Sequence, residues 1–138
     1  MSGIILDSEA LSRLARMRAG DKDAILHAVI RAAADTESPV VVPAAVLSEL
    51  YRGPRWDGAI DACLSRNTGI RVHDTTRHVA RTIGHLLAGA GRGSSDHVDA
   101  TVVATAIHLG GAVILTGDAD DMTALAAGQV GITIESIA

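Results

Sequence analysis

The stretch SSDHVDATVVATAIHLGGAVILTGD (94–118) decides the fold of this chain. Its first part, 94–111, predicts a helix that Ser94 or Ser95 can cap and that Gly110-Gly111 ends. From Ala100 to Ile107 it carries no charged residue. A helix apolar on nearly all sides belongs inside a protein. The run that follows, AVILTGD (112–118), is β-branched and short, and reads as a buried strand ending in an acid. A buried helix leading into a buried strand is the unit of a parallel α/β sheet.

The same alternation extends in both directions. Upstream, GIILD (3–7) predicts a first strand, again ending in an acid. Residues 8–18 follow with Leu11, Leu14, Ala15 and Met17 at helical spacing, and Gly20 stops that helix. Asp21 caps a second helix through Ile25, Val29 and Ile30 to about Ala34. SPVVVP (38–43) predicts a second strand, and Pro43 suits the first turn of the helix PAAVLSELYRG. Gly53-Pro54 breaks the chain before a helix over 55–66, with Gly58 a poor helix former in its middle. GIRVHD (69–74) predicts a strand near a sheet edge, because it carries Arg71 and His73. A helix over 75–91 ends in the glycine-rich loop AGAGRGSS. Downstream, 119–128 predicts a short helix and GITIES (131–136) a last strand. The pattern implies a three-layer α/β/α domain with a mainly parallel central sheet. Its 138 residues show no repeat or linker, so one domain spanning 1–138 is expected.

Composition narrows the function. The sequence has a formal net charge of −4 and 11 arginines to one lysine, Lys22. A plain nucleic-acid binder should be basic, because phosphate neutralisation drives affinity. The balance changes if the acids hold metal, since two divalent cations would cancel the net charge. Phe is absent, and Trp56 and Tyr51 are the only aromatics, which leaves little for stacking bases. Cys63 is the only cysteine, so no internal disulfide or cysteine zinc site is available, and a reducing cytoplasm is expected. No apolar run approaches the roughly 18 residues needed to span a membrane.

The acids fall where chemistry is expected. Open parallel sheets bind ligands at the carboxyl ends of their strands. Asp7 and Asp118 end two strands, Asp96 and Asp99 start the buried helix, and Glu49 follows the SPVVV strand. Each has an ordinary role available: helix capping for Asp7 and Asp118, dipole pairing for Asp96 and Asp99, an i,i+3 pair with Arg52 for Glu49. Asp120 and Asp121 read as solvated acids at a helix start. Together the main candidates converge on one sheet edge, and a hard divalent ion such as Mg²⁺ or Mn²⁺ suits an all-oxygen donor set. The six histidines offer no HxxxH or HxH pair. A phosphoacceptor receiver design would need a lysine at a late strand end, and Lys22 is far from one.

The segments IILDSEAL, PAAVLSELYRG, SSDHVDATVVATAIHLGG and AVILTGDADDMTALA, in that order, resemble the signature of PIN-domain ribonucleases. The resemblance is closest to VapC-type toxins of bacterial toxin–antitoxin pairs, and it covers essentially the whole chain. It implies that Asp7, Glu49, Asp99 and Asp118 are the four core acids, with Asp7 and Asp99 as direct metal ligands. Thr116 matches a hydroxyl position that supports the site. Asp118 and Asp96 join the expected metal set, Asp96 as an extra acid. Arg52, Arg55 and Arg92 are expected near the rim, where they could steer an RNA backbone. The activity implied is Mg²⁺-dependent cleavage of RNA (Mn²⁺ as a substitute), blocked by a small cognate antitoxin, in a homodimer. A non-catalytic PIN-like protein-interaction or RNA-binding module is the alternative.

Overall fold

The computed structural model describes residues 3–16, 24–67 and 69–137. The expectations placed on Met17, Gly20 and Asp21 lie outside the described residues. Five strands form one parallel sheet: β1 (Gly3–Leu6), β2 (Val40–Pro43), β3 (Ile70–His73), β4 (Ala112–Thr116) and β5 (Ile132–Ser136). Their order is β3-β2-β1-β4-β5. The helices are α1 (Ser8–Arg16), α2 (Ala24–Asp35), α3 (Ala44–Leu50), α4 (Pro54–Arg66), α5 (Arg77–Gly89), α6 (His97–His108) and α7 (Ala119–Leu125).

Helices α1, α2 and α4 pack together on one face of the sheet, and α5, α6 and α7 on the other. Helix α3 touches both α1 and α6, so it lies across the strand ends. This is the three-layer α/β/α arrangement the alternating pattern implies. Burial follows topology. Every residue of β2 is buried, and β1 and β4 are nearly so, whereas β3 and β5 are largely exposed edges. Arg71 and His73 therefore sit on an edge strand, as their polarity predicts.

Helix α6 is the centre of its layer. Ala100 to Ala106 are buried without a break. Its small side chains allow close approach to the sheet, and its two interior hydroxyls are satisfied within the helix: Thr101 donates to His97 O and Thr105 to Thr101 O, both at 2.8 Å. At its C-terminal end the amides of Gly110 and Gly111 bond back to Ile107 O and Ala106 O, each at 3.0 Å. Gly111 has φ 119°, and a Cβ there would stand 2.8 Å from Gly131 O. Only glycine fits both the conformation and the space. At its N-terminal end the structure departs from expectation. Ser94–Asp96 form a 3₁₀ turn, and the N-cap residue of α6 is Asp96, without a side-chain capping bond. The turn satisfies the Asp96 amide through Gly93 O, so no serine hydroxyl is needed there.

The strand order reverses at β1. The chain leaves it to build β2 and β3 on one side, then returns to place β4 on the other. Such a switch point opens a crevice beyond the carboxyl ends of the two strands. The β1–β4 register pairs Leu6 with Leu115. Asp7 and Thr116, the next residue of each strand, thus emerge side by side.

Candidate metal centre

Asp7 is 5% exposed, and its carboxylate is held at both oxygens. Oδ1 accepts from the Ala10 amide at 2.9 Å, a capping bond to the first turn of α1. Oδ2 accepts from the Gly117 amide at 3.2 Å, across the sheet. The buried Thr116 hydroxyl also bonds Asp7 while accepting the Asp118 amide at 2.9 Å. Burial pushes the Asp7 carboxyl above its ordinary range, and these three bonds work against that shift. Asp7 does cap a helix, as its ordinary role predicts, yet it also belongs to a cleft.

That cleft, about 380 Å³, is lined by Asp7, Ser8, Glu9, Arg13, Glu49, Asp99, Gly117 and Asp118. Strand ends and helix starts supply all of them but Arg13, within α1, and Glu49, in the last turn of α3. Glu49, on α3, accepts a hydrogen bond from the Ser8 hydroxyl rather than pairing with Arg52. Asp99, on the first turn of α6, has its carboxyl pushed up to about 6. Burial is the main cause, followed by the charges of Asp118, Asp7, Asp121 and Glu49. A carboxyl raised by several others is a site where negative charge has been concentrated, and a divalent cation would relieve it. Gly117 lets the walls approach: a Cβ there would meet Glu9 Cγ at 2.6 Å.

Asp118 stands at the N-cap position of α7 but makes no capping bond through its side chain. Its carboxyl shares a hydrogen bond with Asp121, and that bond is the main cause of its raised pKa. Asp121 is the residue that sequence reading missed. Its carboxylate, with those of Asp96 and Asp99, presents oxygens within 4.8 Å of one another. Among the described residues these three are the acids whose oxygens all lie close enough together to share one ion directly, whereas Asp7, Glu49 and Asp118 line the cleft beside Asp99 without forming so close a group with it. Its signal in the sequence was spacing: Asp121 lies three residues after Asp118, on one helix face.

Of the arginines expected at the rim, none lines the cleft among the described residues. Arg52 caps the end of α3, donating to Ser48 O at 2.7 Å and Tyr51 O at 2.9 Å. Arg55 lies 5.7 Å from the centre of the exposed Trp56 ring. Arg92 pairs with Asp121 at 2.8 Å and stands 3.6 Å from Asp96. The arginine at the cleft wall is Arg13, paired with Glu9 at 2.8 Å and bonded to Ile137 O.

A family model for the PIN domain matches residues 4–127. The chain belongs to the PIN-domain family. The resemblance drawn from the ordered motifs therefore holds. No curated protein matches this PIN domain by sequence. Solved structures do match its fold. VapBC2 of Rickettsia felis, bound to a promoter DNA fragment, is 14% identical with a TM-score of 0.71, covering 98% of each chain. DNA-bound VapBC of Salmonella typhimurium is 17% identical with a TM-score of 0.64, covering 99% of this chain and 98% of that one. VapC20 of Mycobacterium tuberculosis, a toxin that cleaves the sarcin–ricin loop, is 25% identical with a TM-score of 0.57, covering 94% of this PIN domain and 98% of its own chain. Among the described residues of this PIN domain, no helix is long and apolar enough to cross a membrane.

Proposed function

We propose that this PIN domain is a metal-dependent ribonuclease and the toxin of a VapBC-type pair. The observation that carries the reading is the convergence of Asp7, Glu49, Asp99 and Asp118, remote in sequence, on one cleft at the sheet's switch point. The solved VapC and VapBC relatives support it at the level of fold, and the toxin that cleaves the sarcin–ricin loop supports RNA as the substrate class. The all-oxygen donors suit Mg²⁺ or Mn²⁺.

Asp7 and Asp99 would hold the ion, with Asp118 and Glu49 as further ligands, direct or through water. The ion supplies Lewis-acid chemistry, lowering the pKa of water and offsetting charge on the phosphate during in-line attack. The chain's own part is arrangement. Backbone amides and the Thr116 hydroxyl aim the Asp7 carboxylate and work against the upward pull of burial on its pKa. The Ser8 hydroxyl orients Glu49 towards the cleft, where its carboxylate can take a proton. Arg13 brings positive charge to a wall that an RNA phosphate would pass.

A small antitoxin that blocks the acidic cleft, a homodimeric toxin and a cytoplasmic location complete the proposal. The decisive experiment incubates the protein with total RNA with and without Mg²⁺ and maps the cleaved ends. Cleavage that needs the metal is expected. Asp7→Asn or Asp99→Asn should lower it by more than about 100-fold, since even outer-shell partners of metal sites cost 10–100-fold. Full activity in either variant, or no metal-dependent cleavage of any RNA, refutes the ribonuclease reading and leaves a binding module.

A further inference from the structure

From Thr75 to Ser95 the chain carries Arg77, Arg81 and Arg92, with His78 and His85, and no acid. In a protein with a formal net charge of −4 this is a local excess of positive charge. Arg92 is paired with Asp121. Arg77 and Arg81, both exposed on α5, have no carboxylate partner among the described residues. Asp74, three residues before Arg77, pairs with neither. With His78 the two arginines line a hollow of about 260 Å³.

Neither arginine helps its helix. Arg77 is the first residue of α5, whose first turn has no acid, although the helix dipole favours acids there. Arg81 follows it by four residues, on the same face, where like charges repel. Positions where local choices oppose the fold are where function is expected. The His108 ring, at the end of α6, lies 5.9 Å from the His78 ring and shares a hydrogen bond of 2.9 Å with the Thr82 hydroxyl.

These contacts place the hollow. The first half of α5 meets the last residue of α6, so the hollow lies at the end of α6 remote from Asp99. Asp99 is nine residues before His108, about 14 Å away at 1.5 Å per residue. A small ligand in the hollow does not touch the acidic cleft, but a strand of RNA can reach both. Such a strand needs cations, because phosphate neutralisation drives its affinity. The cleft offers Arg13 as its one described basic lining residue. Arg52 is turned onto carbonyls and Arg92 onto acids.

We propose that the hollow of Arg77, His78 and Arg81 holds a backbone phosphate of the RNA substrate, outside the nucleotides that flank the cleaved bond. This rests on the ribonuclease reading and deepens it. The guanidinium groups supply charge and paired N–H donors, and the His78 ring a further donor. A phosphate contact adds affinity without choosing a sequence.

The test measures binding of a fluorescein-labelled, random-sequence, single-stranded RNA by anisotropy, in EDTA so that no metal-dependent cleavage occurs. Arg77→Gln with Arg81→Gln should weaken binding by about 10-fold. The slope of log affinity against log salt should become shallower by about 0.7, the single-strand value for one phosphate. Arg77→Lys with Arg81→Lys, which keeps the charge, should retain the wild-type slope. Arg31→Gln with Arg66→Gln removes the same charge at the other end of the sheet and should bind as the wild type does. With Mg²⁺ restored, the KM for cleavage of this RNA should rise by about 10-fold in the Arg77→Gln, Arg81→Gln protein, as its affinity falls. A further measurement needs no variant: the His78 and His108 ring NMR signals should shift when the RNA is added in EDTA. Wild-type protein that cleaves no RNA with Mg²⁺ sinks the ribonuclease reading, a separate failure. Equal RNA affinity in wild type and the Arg77→Gln, Arg81→Gln protein, or an equal loss in the Arg31→Gln, Arg66→Gln protein, overturns the inference alone. So do ring signals that stay in place, or a changed oligomeric mass of the Arg77→Gln, Arg81→Gln protein, which would make this face a contact between copies of the chain.

Discussion

Two hollows of nearly equal size lie at opposite ends of the sheet. One, about 380 Å³, opens beyond the strand carboxyl ends and is walled by Asp7, Glu49, Asp99 and Asp118. The other, about 360 Å³, lies beside Val40 and Ile70, the first residues of β2 and β3, and is lined by His27, Arg31, Arg66 and Asn67 among others. No acid is among its described lining residues. Size does not separate the two, but charge does. The acidic hollow gathers like charges against their repulsion, with Arg13 as its one described basic lining residue, and a bound cation would relieve that repulsion. The basic one places its arginines on the surface, where solvent carries their charge at little cost.

This contrast can be broken most sharply through Asp99. Its folded-state pKa, about 6, lies above the ordinary value of 3.8. The folded protein then binds the proton more tightly than the unfolded chain, so stability falls as pH rises from about 4 to about 6 and stays reduced above that. At about 1.4 kcal/mol per pKa unit, the metal-free penalty at neutral pH is at most about 3 kcal/mol. Thermal melts of metal-free protein should show this slope, and Asp99→Asn should flatten it and raise Tm at pH 7. Mg²⁺ should reverse the order, stabilising the wild type and not the variant. A wild-type melt that is flat between pH 4 and 6 would remove the charge concentration on which the contrast depends.

Thr116→Val comes next. It deletes the hydroxyl that bonds Asp7 and takes the Asp118 amide while keeping the buried shape. Mn²⁺ affinity should fall by about 10–100-fold, as for other supports of metal ligands. Gly117→Ala should cost about 1–3 kcal/mol in thermal stability by pressing on Glu9, as overpacking does. The smallest effect belongs to the other end of the sheet. Arg66→Gln should change stability by less than about 0.5 kcal/mol and leave Mn²⁺ binding untouched. A loss of metal binding there would dissolve the distinction between the hollows.

Periodicity made the scaffold readable. AVILT and VVVP could only be interior strands, and the uncharged run in α6 could only be enclosed. Asp7, Asp99 and Asp118 were legible because topology sends strand ends and helix starts to one place, and Glu49, in the last turn of α3, through the ordered motifs. Side-chain partnership was not legible. Arg92 reads as a rim arginine, and only the folded loop shows it turned onto Asp121 and Asp96. Asp121 reads as a solvated helix-start acid, and the same contact draws it into the cluster. Trp56 lies exposed beside Arg55, a placement that composition cannot reveal.

The enclosure of α6 from Ala100 to Ala106 has a consequence for Asp99, the residue just before it. A helix gripped on every side cannot roll or slide without reshuffling the whole interior. The carboxylate at its mouth inherits that rigidity. Discrimination among divalent ions at this point should therefore follow ionic radius and the ease of shedding water, with no adaptation by the protein to soften the choice.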